Sequence, residues 1–175
     1  MRSAGTKRFA LLLLALAPAA CGRPFKVDTA PGMVELQDQD PPFAYRALAP
    51  EGVVVAVRVV DNDENGTLDF WTRATSLRMR QLNGYALVGE ADVKSRDGTP
   101  GKELRFGHDE AGGKPFLYTV RLFVAQSRVF IVEAGGSKEL VERYARDVAW
   151  TEDSLRVVCG AVGYPIFASH TCHRW

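Results

Sequence analysis

Residues Asp61-Asn62-Asp63-Glu64-Asn65-Gly66-Thr67-Leu68-Asp69 concentrate hard oxygen donors in one short run. Asp61, Asp63 and Asn65 occupy positions one, three and five of a D-x-D-x-N-G calcium loop. Gly66 falls at its sharp bend, Thr67 at the carbonyl position and Asp69 at position nine. A hard cation needs such ligands from a tight turn, and a site of this kind would be weak, with Kd of ~10⁻⁴–10⁻³ M. Position twelve is Thr72 instead of the bidentate Glu, and the preceding residues read as strand instead of helix. The same residues also make an acidic strand-to-helix connection. Asn65-Gly66 turns the chain, Thr67 caps the helix, and Asp69 sits favourably at its positive end. Every residue then has a local structural task, so no cofactor is expected beyond weak Ca²⁺.

His108 stands beside Asp109 in what reads as a hairpin, with no G-x-S-x-G elbow to supply a nucleophile. It is expected to be a solvated turn histidine. Arg73, Arg78 and Arg80 are expected on the wet face of a helix. No acid–base pair or activated nucleophile is visible, so the chain is expected not to be an enzyme.

The N-terminus says where such a protein would work. Arg2, Lys7 and Arg8 precede an apolar run from Phe9 to Leu16, and Ala17-Pro18-Ala19-Ala20 bring small residues up to Cys21. The apolar stretch is too short to span a bilayer, which takes ~20 residues. The pattern resembles a bacterial lipoprotein signal, which implies cleavage before Cys21 and acylation (palmitate among the chains) of its thiol. Pro18 departs from the usual Leu, and Ala17-x-Ala19 also fits an ordinary secretory signal. Cysteine count favours lipidation: with Cys21 acylated, Cys159 and Cys172 remain as an even pair. Gly22 after the Cys, where Asp would favour inner-membrane retention, implies the outer membrane facing the periplasm. The membrane, reached through the lipid, is then one partner.

In such an oxidising compartment a Cys159–Cys172 disulfide is expected, closing the C-terminal tail at a gain of ~3 kcal/mol at most. The alternative is zinc, since His170 and His173 flank Cys172. The spacing fits no familiar zinc pattern, and Ser169 removes the haem-attachment motif.

The signal holds three of the 22 basic residues and none of the 21 acids, so the mature formal charge is −2 instead of +1. No basic stripe remains to suggest nucleic acid. The 155 residues after the signal suffice for one domain. The expected organisation is a signal peptide over 1–20, a lipidated Cys and short tether over 21–24, one domain over 25–156 and a tail over 157–175.

Positioning falls to elements legible from pattern. Strands are expected at Phe25–Val27, Met33–Leu36, Phe43–Leu48 and Val53–Val60, the last nearly continuous in apolar residues. A helix follows from Leu68 to about Leu82, with Phe70, Trp71, Ala74, Leu77 and Leu82 near one face. Strands at Tyr85–Val93, Lys102–Gly107, Phe116–Ala125 and Arg128–Ala134 form a meander. Ser137 opens a second helix with the stripe Leu140, Val141, Tyr144, Ala145 and Val148. This order predicts an α+β fold, a curved antiparallel sheet of about six strands flanked by two helices.

The element order, the Phe25-x-Val27…Pro31-Gly32 opening and the Gly101…Phe106…Tyr118…Phe123…Arg128…Glu133 meander resemble the PsbP/Mog1/DcrB-type fold over residues 25–156. Met33 departs from the Trp that many relatives carry after Pro-Gly. The resemblance implies a non-catalytic binding or assembly role, with an unidentified envelope protein or ligand as partner, and carries over no catalytic residue. The alternative is a calcium- or zinc-binding envelope protein using the Asp61–Asp69 loop or the terminal Cys/His group.

Overall fold

Alternation in two long strands sorts the core into two layers. In Lys114–Ala125 (β7), Val120, Leu122 and Val124 face one side while Phe123 and Ala125 face the other. In Arg128–Ser137 (β8), Val129 and Ile131 join the first set, and Phe130, Val132 and Ala134 the second. Period-two alternation with apolar residues at both phases requires cover on both faces of the sheet.

The computed structural model describes residues 23–37, 40–110, 113–125 and 127–157. Before β7 and β8 come β1 (Phe25–Lys26), β2 (Val34–Glu35), β3 (Phe43–Leu48), β4 (Val54–Asp61), helix α1 (Leu68–Gln81), β5 (Ala86–Lys94) and β6 (Pro100–Glu110). After them come α2 (Lys138–Arg143), α3 (Ala145–Asp153) and β9 (Arg156–Val157). Seven strands form one antiparallel sheet in the order β2-β3-β4-β8-β7-β6-β5, and β1 pairs with β9 in a separate ribbon. The fold is therefore α+β, as the element order implies, with one strand beyond the expected six in the main sheet.

One layer lies beneath α2 and α3 and gathers Phe25, Tyr45, Val55, Val57, Phe123, Phe130, Val148, Leu155 and Val157. The other lies beneath α1 and contains Leu104, Phe106, Val120, Leu122, Val129 and Ile131. The second expected helix is two: the chain breaks at Tyr144, which ends α2 and precedes α3. Leu140, Val141, Tyr144 and Val148 pack on the core as the stripe predicts, but Ala145 is exposed.

Helix α1 starts as expected, with the Thr67 hydroxyl accepting from the Phe70 N–H at 3.1 Å. Its buried face differs. Leu68, Trp71 and Met79 pack on the core and Thr72 is buried, while Phe70, Leu77 and Leu82 are 57, 50 and 78% exposed. One bond ties this face to the preceding loop, and a second satisfies its buried hydroxyl within the helix. The Trp71 indole N–H donates to Asn62 Oδ1 at 2.9 Å, and the Thr72 hydroxyl donates to the Leu68 carbonyl at 2.8 Å. A threonine satisfied by its own helix can be buried at little cost.

Candidate functional site

Among the described residues helix α1 packs chiefly on β5, β6 and β7, to one side of the β4 part of that sheet face. Between them lies a cleft of about 620 Å³, walled by Trp71, Ala74, Thr75, Arg78 and Met79 of the helix. Its opposite wall and floor come from Phe43, Arg58, Val60, Tyr118, Val120, Ile131 and Glu133.

Register places the polar floor. Glu133 of β8 stands opposite Ala56 of β4 and Val120 of β7, so Arg58 and Tyr118 reach it diagonally from either side. The Arg58 guanidinium donates Nε–H to Glu133 Oε2 at 2.8 Å and a second hydrogen bond from Nη2 to Oε1. The Tyr118 hydroxyl also faces Glu133. Burial pushes the Tyr118 phenol far above its ordinary range, and the neighbouring Glu133 charge adds to this. Burial alone would lower the Arg58 guanidinium, but its hydrogen bonds and charge contact with Glu133 outweigh this and raise it. At neutral pH the floor is thus a charge-matched cluster that holds its protons tightly.

Space for Tyr118 depends on Gly135, its partner across the ladder. A Cβ at Gly135 would come within 2.7 Å of the Tyr118 ring. Tyr85 lies 5.8 Å from Tyr118 and 4.9 Å from His108, centroid to centroid. His108 is therefore not a turn residue. The β6–β7 ladder runs on through Glu110↔Lys114, which carries His108 into the strand and stacks its ring on Tyr85.

The acidic loop is organised by Asn62, which the calcium spacing passes over. Asn62 is 3% exposed; its Oδ1 accepts from the Gly66 N–H at 2.8 Å, and its Nδ2 donates to the Gly66 carbonyl at 3.0 Å. Asp61 is exposed at the end of β4 opposite Arg128, and Asp63 and Asp69 are also exposed. Asn65 adopts a left-handed backbone (φ 52°) and donates its amide to the Asp63 carbonyl at 3.4 Å. The Thr67 carbonyl accepts from the Trp71 N–H. Among the described residues no three His, Cys, Asp or Glu side chains converge as a metal-holding group.

Arg73, Arg78 and Arg80 are all exposed. Arg78 lines the cleft, while Arg73 borders a smaller groove with Asp69 and Glu90 on the β5 side of α1. Cys21, Cys159, His170, Cys172 and His173 lie outside the described residues.

Sequence reasoning did not single out Arg58, Tyr118 or Glu133 as a site. The one available signal was Arg58 itself, a charge inside an otherwise apolar strand that must find a partner.

No family model and no curated protein sequence matches the chain. Solved structures do. LpqN of Mycobacterium tuberculosis, described as involved in cell envelope biogenesis, superposes with a TM-score of 0.60 at 12% identity, covering 75% of this chain and 81% of LpqN. CyanoP, the PsbP protein of the cyanobacterium Synechocystis, gives 0.52 at 10% identity over 81% of this chain and 97% of its own. The Ran-binding protein Mog1p of Saccharomyces cerevisiae gives 0.53 at 10% identity over 77 and 90%. The fold is PsbP/Mog1-like. In this PsbP/Mog1-like body the cleft beside α1 brings the aromatic rings and the Arg58–Glu133 pair together.

Proposed function

We propose that this chain is a lipid-anchored cell-envelope protein that binds a ligand or partner in the cleft beside α1 and catalyses nothing. The carrying observation is the cleft itself: an open, largely apolar and aromatic recess whose charged floor is already paired. Such a site offers shape and a few fixed polar groups, which suits recognition more than proton transfer. Its likeness in fold to LpqN, described as acting in cell envelope biogenesis, supports the location.

The N-terminal geometry fits the same arrangement. Phe25 belongs to the core layer beneath α2 and α3, on the opposite side of the sheet from the cleft. Three residues lie between Cys21 and Phe25, four backbone steps with a reach of at most about 14 Å. An acylated Cys21 would therefore hold the α2–α3 side near the headgroups and leave the cleft facing away from the bilayer. Gly22 after the Cys supports the outer membrane, with the domain in the periplasm.

A photocrosslinking residue at Ala74, in the cleft wall, tests the role in intact cells against a control at exposed Ala145 on α3. A discrete adduct from position 74 that is absent from position 145 is expected. Identical patterns from both positions, or none from 74, would contradict binding at the cleft.

A further inference from the structure

On the α2–α3 side of the sheet one guanidinium faces three carboxylates. Arg121 of β7, with its side chain 11% exposed, lies 2.8 Å from Glu103 of β6, 3.1 Å from Glu152 and 2.6 Å from Asp153. The last two stand at the end of α3. Arg105 of β6 approaches Glu103 at 3.7 Å from the exposed side. Glu152 is the most deeply placed, at 4% exposure. Its Oε2 faces Arg121, whereas its Oε1 is buried without a hydrogen-bond partner. Arg121 gives its hydrogen bonds to Glu103 and Asp153.

Arg121 and the more exposed Arg105 together leave three carboxylates one charge short of balance, and a buried oxygen with no donor makes the charged form of Glu152 costly. Burial pushes the Glu152 carboxyl up to about 7. Arg121 opposes the shift, and Glu103 and Asp153 reinforce it. The group therefore changes charge near neutrality.

Its neighbours in sequence hold the N-terminal segment. The Thr151 hydroxyl accepts from the Ala30 N–H at 3.1 Å, and the Ser154 hydroxyl accepts from the Asp28 N–H at 2.8 Å. Two residues further on, β9 pairs with β1.

We propose that Glu152 is a proton-operated latch on the layer formed by α3 and the β1–β9 ribbon. With the carboxyl protonated, the layer is held against the sheet. With it ionised, the excess negative charge loosens α3 and the ribbon, while β6, β7 and β8 stay paired. The latch acts on the layer from which the N-terminal tether leaves and is independent of what the cleft binds.

Hydrogen exchange read by mass spectrometry on the full chain at pH 5.5 and 8.5, corrected for intrinsic exchange, tests this. Protection over residues 145–157 and 25–30 should fall about tenfold or more at the higher pH, with β7 and β8 unchanged. In Glu152→Gln the protection should not depend on pH. In Glu103→Gln one of the charges raising the Glu152 carboxyl is gone, so the transition should move to lower pH. Equal protection at both pH values, or the same loss in Glu152→Gln, would overturn the latch. Should Glu152→Gln not fold, an unshifted transition in Glu103→Gln would overturn it alone.

Discussion

Arg58 of β4 and Glu133 of β8 form a two-pronged ion pair at the floor of the cleft, on adjacent strands and two residues out of register. Glu133 is 7% exposed, and Arg58 supplies hydrogen bonds to both of its carboxylate oxygens. Replacing Arg58 with Met should cost about 2–3 kcal/mol in urea unfolding. This lies below the 3–5 kcal/mol of a fully buried pair because the Arg58 side chain is 30% exposed. The double variant Arg58→Met/Glu133→Leu should recover most of that loss, since no unpaired charge remains. A double variant as unstable as the single would show that packing, not the orphaned carboxylate, sets the cost.

Asn62 closes the acidic loop and fixes Trp71. Asn62→Ala strips partners from the Gly66 N–H and the Trp71 indole, and should lower stability by ~2 kcal/mol and red-shift tryptophan emission. Because protein groups already close this turn, millimolar calcium should leave the melting temperature of the wild type unchanged. A rise that is lost in Asp63→Asn would instead assign an ion to the loop.

The Glu152 carboxyl also makes global stability depend on pH. Its folded pKa, about 7, lies above the ordinary 4.5, so the folded state binds the proton more tightly. That contribution is complete below about 4.5 and is lost as pH rises through about 7. Between pH 4.5 and 8 the wild type should lose stability relative to Glu152→Gln, by on the order of 3 kcal/mol at most. A pH-independent difference between the two proteins would contradict the shift.

Lipid attachment predicts a defined mass. The N-terminal peptide of membrane-extracted protein should begin at Cys21 and carry thioether-linked diacylglycerol. Inhibition of lipoprotein signal peptidase should accumulate the acylated precursor. An unmodified N-terminus at Ala20 or Cys21 would remove the anchor.

Much of the fold was legible because local pattern and tertiary placement agree. The alternation in β7 and β8 marks both faces of the sheet, and Thr67 announces the start of α1. What pattern missed was decided at long range. The helical stripe implied that Phe70, Leu77 and Leu82 turn inward, but Thr72 and Met79 do instead, with Trp71 hydrogen-bonded to Asn62. The pairing of β1 with β9 joins residues 130 and 132 positions apart, which no local periodicity encodes. The site was hidden for the same reason. Arg58, Tyr118 and Glu133 are ordinary strand residues until the β4–β8–β7 register brings them together. The acidic loop shows the converse: a motif drew attention to Asp61, Asp63 and Asn65, whereas the buried Asn62 between them does the structural work.

The direct test of a binding role is the hydrogen-exchange footprint of the protein in native membranes, compared with the same protein extracted and purified. Occupancy of the cleft predicts added protection over residues 68–81 of α1 and over the facing stretches of β4 and β8, with α2 and α3 unchanged. Identical exchange in both states, or protection confined to the α2–α3 side, would contradict it.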